Sequence, residues 1–294
     1  MPELEFGVMI DTSSGSGEEI ARAARSAEAL GFGVVAVHPD HPSSAGTRAT
    51  GPSVECWTAI TWILAATTRI RALPSVLSMA YRHPGVVAKM AESLDRLSGG
   101  RLILGLGAGG DDRATRAFGL PERTPTAKVA LLSEAIDVMT GLWEQAPFTY
   151  EGRAWHMDAA SINPLAVRRP PIWLGAYGDR MLDLVAARAD GWLPSYHHLD
   201  RRQAKERLER IAERAASVGR DRAELTFACN VPLEIDPRKR PSPSRLSGSA
   251  EEVAEHLACI AEAGFDTLVL WPVHSQPDAL EELAKEVIPV VRER

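Results

Sequence analysis

Cysteine is scarce in this chain of 294 residues. There are three, Cys56, Cys229 and Cys259, widely separated and in no Cys-x-x-Cys pair. An odd, scattered set suggests neither a disulfide framework nor a zinc clamp and leaves buried thiols as the expected role. Long apolar runs are missing too. No stretch approaches the roughly 20 residues of a membrane span. The opening residues, MPELEFGVMI, carry no basic leader and no signal-peptide core. A cytoplasmic protein with no membrane partner is therefore expected. Positive charge is in deficit, with 33 Lys and Arg against 39 Asp and Glu and a net charge of −6. That balance argues against nucleic acid as a main partner, although a local basic patch could hold an anionic ligand.

What is present is a regular alternation of short β-rich apolar runs with amphipathic stretches. The runs are 4–10, 33–39, 71–77, 101–107, 170–176, 191–196, 225–235 and 267–273. Helical patterns follow each of them, among them Glu18–Leu30, a helix ending near Thr68, Pro84–Leu97 and Pro125–Trp143. Eight strand–helix units with no break in composition fit a closed (β/α)8 TIM barrel better than an open doubly wound sheet. A single domain over 1–294 is expected, with an inserted excursion at about 144–169, resembling a hairpin, and a long loop at about 236–248.

The stretch SLDRLSGGRLILGLGAGG (93–110) contains Gly105, Gly107 and Gly110, a G-x-G-x-x-G pattern after an apolar run. A dinucleotide-binding turn would need a helix opening at the glycines and an acidic residue at the end of the next strand, about 20 positions on. Here Gly119, Pro121 and Pro125 follow, and Ala130–Glu134 is helical in pattern. The glycines instead end the fourth barrel strand, where bare backbone lets a flat ligand approach.

Barrel active sites lie at the C-terminal strand ends, and clustered imidazoles occur at two of these, His38 with His41 and His197 with His198. Metal ligation by His38 and His41 would need ligands from other strand ends, and strands four and five supply none. Strand alternation puts 38 and 40 on one face and 39 and 41 on the other, so His38 reads as a hydrogen-bonded residue of the barrel wall. Asp40-His41 at a strand tip is an acid/base candidate. Gly175-Ala176-Tyr177-Gly178-Asp179 reads equally as a phosphate-docking turn before a helix or as an ordinary Asp-capped helix start. Arg113, Arg116 and Arg180 are candidate countercharges, and Trp155, Trp173, Trp192 and Trp271 are candidates for stacking or core filling.

RHPGVVAKMAESLDRLSGGRLILGLGAGG (82–110) resembles the signature of the luciferase-like monooxygenase superfamily, and within it the enzymes that use the deazaflavin coenzyme F420. Residues 27–41, 62–76, 170–192 and 247–272 are similar as well, in the same order. The resemblance implies a TIM barrel with insertions and a homodimer. It places Asp40 and His41 on a pair that contacts the ring and serves in proton transfer, and Ser75-Val76 on a non-prolyl cis peptide in a bulge that backs the ring. It places Gly107, Ala108 and Gly109 along the ring pocket and Gly175, Ala176, Tyr177 and Gly178 on the turn that binds the coenzyme phosphate. The activity it implies is hydride transfer between F420 and a small-molecule substrate. Pro42-Ser43-Ser44 and Gly110-Asp111 stand where sugar-phosphate dehydrogenases of the group carry Trp and Glu, which disfavours that substrate. A reduced-FMN monooxygenase and a non-catalytic flavin-binding paralogue are the alternatives.

Overall fold

The computed structural model describes residues 4–13, 15–38, 53–110, 112–199, 201–273 and 277–293. The first two units are β1 (Glu5–Ile10), α1 (Gly17–Ala29), β2 (Val34–Val37) and α2 (Cys56–Ala66). Local chemistry explains the helix limits. Ser16 caps α1 by accepting from the Glu19 N–H, with Glu18 and Glu19 at the positive end of the helix. The third unit has a divided strand, β3 (Arg71–Pro74) and β4 (Leu77–Ser78), before α3 (Pro84–Ser98). His83 caps α3, Pro84 opens it, and Gly99 closes it at φ 70°.

The chain continues through β5 (Leu104–Gly107), α4 (Asp112–Ala117), α5 (Pro125–Glu144), β6 (Phe148–Glu151), β7 (His156–Ala160) and β8 (Ile172–Leu174). After these come α6 (Asp179–Arg188), β9 (Gly191–Trp192), α7 (Arg201–Ser217), β10 (Thr226–Ile235), β11 (Leu246–Gly248), α8 (Ala250–Glu262) and β12 (Thr267–Pro272). The C-terminal helical segment comprises α9 (Pro277–Glu282), a π-turn and α10 (Ile288–Arg292). The glycines of 105–110 thus end a strand that leads through a loop into a six-residue helix, without the geometry of a dinucleotide fold.

Strand neighbours run β3-β2-β1-β12-β10-β9-β8-β5-β4, every pair parallel. The circuit closes because β3 continues into β4 and Ala72 bridges to Leu102, with Ala72 N donating to Arg101 O at 2.9 Å and Ile103 N to Ala72 O at 3.0 Å. The fold is an eight-stranded α/β TIM barrel. β11 adds in parallel beside the end of β10, and β6 and β7 form an antiparallel hairpin off the barrel.

Strand alternation sorts the core into two sets. Met9, Val34, Ala36, Leu73, Ile103, Trp173, Leu193, Ala228 and Val269 fill the lumen. Val8, Ile10, Val35, Val37, Leu104, Leu174 and Cys229 pack outward against the helices.

Two polar clusters fasten the N-terminal end of the barrel. Arg101 donates to the carbonyls of Leu64 (2.8 Å), Thr67 (3.1 Å), Ile70 (3.1 Å) and Ser98 (2.8 Å) and to Thr67 Oγ1. Asp95 accepts from Leu102 N at 3.3 Å and from Arg168 through both oxygens. Nearby, Glu28 on α1 accepts from the N–H groups of Thr68, Arg69 and Ile70 at 3.0, 2.6 and 2.8 Å. Burial raises the Glu28 carboxyl, but the donors Ile70, Arg69 and Thr68 outweigh it and hold the pKa at about 2.

Candidate active site

A cavity of about 730 Å³ opens at the C-terminal ends of the strands. Its floor follows from the alternation that fills the lumen. Two residues beyond Ala36, Leu73, Ile103 and its next inward neighbour Gly105, Trp173, Leu193, Ala228 and Val269 stand His38, Ser75, Gly107, Gly175, Ser195, Asn230 and Trp271, and all of them line the cavity. The same parity turns Ala176 away. Its side chain is buried in the outer core, and its carbonyl accepts from Trp192 Nε1 at 2.9 Å. Ala176 therefore contributes backbone to the turn and no side chain to the cavity.

Ser75 is the hub of the floor. Its N–H donates to Val37 O at 2.9 Å, its carbonyl accepts from His38 Nδ1 at 2.9 Å, and its Oγ accepts from Asn230 Nδ2 at 3.0 Å. A carbonyl only accepts, so the His38 proton resides on Nδ1. Both Ser75 and Asn230 are buried, and Asn230 Oδ1 has no partner among the described residues. The Trp271 ring meets His38 edge-on, with centroids 5.2 Å apart.

The Ser75–Val76 peptide is cis, and Val76 projects against bare backbone. A Cβ on Gly107 would stand 2.7 Å from Val76 Cγ2, and one on Gly175 would stand 3.4 Å from the same atom. On Gly105 a Cβ would fall 2.0 Å from Pro74 O. Gly109 has φ 91°, a conformation that favours glycine. Gly105 is therefore required by the backbone of the bulge between β3 and β4, and Gly107 leaves room for the Val76 side chain that the bulge presents.

On the far side, Gly178 is the N-cap of α6 and carries no side-chain cap. The Asp-capped alternative is not what forms, since Asp179 is already the first helical residue, where it pairs with Arg210 at 2.8 Å. The Asp179 and Arg180 N–H groups therefore stay uncapped at the positive end of α6 beside the cavity, while the Met181 N–H donates to Gly178 O at 2.8 Å. Tyr177 Oη accepts from Ser195 N at 2.9 Å, and its ring meets His198 edge-on at 5.0 Å. Burial pushes the Tyr177 phenol above its ordinary range.

Of the sequence candidates, Ser75, Val76, Gly107, Ala108, Gly109, Gly175, Tyr177 and Gly178 line one cavity. Asp40 and His41 lie outside the described residues. Neither Arg116 nor Arg180 lines the cavity; Arg180 donates to Thr126 Oγ1 and Arg116 pairs with Glu122. Trp173 and Trp192 fill core, and only Trp271 of the four tryptophans lines the cavity. Among the described lining residues there is no carboxylate, Lys or Arg, and no group of three metal-ligating side chains occurs among the described residues. Met9, Tyr81, Leu193, Ser195 and Asn230 were not singled out as ligand-binding from the sequence. Strand parity was the signal for Met9, Leu193, Ser195 and Asn230.

Among the described residues, no helix is long and apolar enough to cross a membrane. Residues 4–240 match the luciferase-like monooxygenase family. A phthiodiolone/phenolphthiodiolone dimycocerosates ketoreductase of Mycobacterium sp. (strain JLS) is 31% identical over 179 residues, covering 57% of this chain and 44% of that protein. The chain thus matches less than half the length of that relative. An F420-dependent glucose-6-phosphate dehydrogenase of Microbacterium testaceum is 24% identical over 272 residues, covering 78% of this chain and 81% of its own. The solved structure of an F420-dependent secondary alcohol dehydrogenase with an F420-acetone adduct superposes with TM-score 0.86 at 18% identity, over 98% of this chain and 99% of that one. With most of its length matched by the family and a glycine-backed bulge facing the cavity, this chain belongs to the luciferase-like monooxygenase family.

Proposed function

We propose that the chain is an F420-dependent oxidoreductase that transfers a hydride between the deazaflavin and a small organic substrate. The observation that carries this reading is the Val76 bulge, seated between Gly107 and Gly175 and sharing one cavity with the uncapped Gly178 turn. Such a cavity fits a flat ring joined to a phosphate. Val76 supports one ring face, Gly107 to Gly109 let the ring approach backbone, and the N–H groups after Gly178 receive the phosphate. The coenzyme, when bound, supplies the hydride-carrying carbon. Asp40 and His41 hold and move the proton that accompanies the hydride, as the sequence resemblance implies. The F420-dependent relatives support the choice of coenzyme.

The second reading, a monooxygenase using reduced FMN, rests on the family itself. Titration of the purified apoprotein with F420 and, separately, with FMN distinguishes the readings by ligand fluorescence. Micromolar or tighter binding of F420 alone is the expected result, and binding of FMN alone would replace it with the monooxygenase. Binding of neither would leave a non-catalytic paralogue.

A further inference from the structure

Ser75 has one hydroxyl proton and lone pairs to accept with. Asn230 Nδ2 engages a lone pair at 3.0 Å, so the bond between them consumes an acceptor site on Oγ and leaves the Ser75 proton unspent. None of the other polar groups around Ser75 among the described residues takes that proton. Val37 O accepts from both the Ser75 N–H and the Cys56 thiol, and His38 Nδ1 donates to the Ser75 carbonyl. Asn230 itself is held from behind, its N–H on Pro194 O at 2.9 Å and its backbone bridged to Ser195. Ser75 lines the cavity, next to the bulge residue Val76.

We infer that Asn230 is a positioning residue, which by donating to Ser75 Oγ directs the Ser75 hydroxyl proton into the cavity, toward a carbonyl oxygen of the bound ring. The pyrimidinedione edge shared by deazaflavins and flavins supplies carbonyls of this kind, so the inference rests on the proposed function in its coenzyme class and not on the choice between F420 and FMN. Asn230 acts on the ring through Ser75. The alternative is a packing role, in which the amide fills space between β10 and β3 and its polarity is immaterial.

Replacement by aspartate separates the two. The carboxylate introduced by Asn230→Asp is equal in size to the amide but accepts only, so it would draw the Ser75 proton away from the cavity. The test measures coenzyme affinity, the bound-ring absorption maximum and thermal melting for wild type, Asn230→Asp, Asn230→Ala, Ser75→Ala, Ser75→Thr and the double variant Asn230→Ala/Ser75→Ala. Asn230→Ala and Ser75→Ala should each weaken binding about five- to tenfold, and the double variant no further than Ser75→Ala alone. Asn230→Asp should be at least as weak as Asn230→Ala, with a shifted absorption maximum, while Ser75→Thr retains wild-type affinity. Full affinity in Asn230→Asp, or additive losses in the double variant, would overturn the inference while leaving the proposed function standing. Wild-type protein that binds neither F420 nor FMN would overturn both. Should Asn230→Asp fail to fold, the coupling between the two alanine variants decides.

Discussion

Asn230 and Ser75 are 155 positions apart in the chain, and the amide of one donates to the hydroxyl of the other at 3.0 Å. Around the barrel they are as far apart as two strands can be, since β10 lies four steps from β3 by way of β1 and four steps from β4 by way of β8. The bond therefore crosses the lumen. It spans the floor of the cavity above the apolar plug of Leu73, Trp173 and Val269.

The two inward glycines of β5 should separate fold from ligand binding. Gly105→Ala brings a methyl against the Pro74 carbonyl, which is backbone and has no room to move, and should cost several kcal/mol, about 2–4, in a denaturant titration. Gly107→Ala meets only the tip of Val76, which can turn. That variant should melt within a few degrees of wild type yet bind the coenzyme about tenfold more weakly, because Val76 is displaced toward the ring. Unchanged affinity in Gly107→Ala would detach Val76 from the ring site.

His41→Ala tests the proton-transfer role that the sequence resemblance implies. Coenzyme affinity should stay within about tenfold of wild type, while turnover of an accepted substrate falls by roughly 10²-fold or more. Unimpaired turnover would remove His41 from the reaction and leave Asp40 as the acid/base.

Tyr177→Phe removes the acceptor for the Ser195 N–H without changing the ring that packs on His198. The expected loss is about 1 kcal/mol in a urea titration, because a partly buried donor is left unpaired. Burial raises the phenol in the folded protein, so the neutral form is the one that fits. The stabilisation is complete below the phenol's ordinary range and declines only as the pH climbs through its raised value. Stability measured at pH 7 and pH 9 should therefore show the same difference between wild type and the Tyr177→Phe variant.

Glu28 gives the opposite pH dependence. Its carboxyl titrates near pH 2 in the folded protein, below its ordinary value of 4.5. The stabilisation is complete above pH 4.5 and is lost as the pH falls toward 2. Glu28→Gln should be less stable than wild type by about 1–2 kcal/mol at pH 7. The gap should narrow at pH 3 in parallel denaturant titrations; an equal gap at both values would mean that the ionised carboxylate does not hold the turn at Thr68–Ile70.

The barrel was legible because eight apolar runs alternate with amphipathic ones and the turns between them carry their own punctuation, such as Pro84 and Gly99 around α3. The bulge and its glycines were legible through resemblance, since nothing local in Leu-Pro-Ser-Val marks a divided strand. What the sequence hid are relations that exist only after closure. Asn230 gains its partner when the seventh strand faces the third, and Ala176 leaves the cavity because its neighbour Gly175 takes the inward position. The Asp179 cap does not form because the helix begins one residue earlier than a cap at Asp179 requires, with Gly178 in the N-cap position.

The LDRLSGGR part of the 82–110 block sits at the end of the barrel away from the cavity that the block's closing glycines line, and there Arg101 gathers carbonyls from α2, its following turn and α3, and Asp95 grips Arg168. These residues rivet the seam at which β3 meets β5, and none of them lines the cavity. A motif of this kind records how a cylinder is sealed, so proteins that share it inherit a vessel and remain at liberty to change its contents. Sorting such relatives by reaction therefore calls for reading the opposite rim, starting with the inward residues two steps beyond the apolar plug.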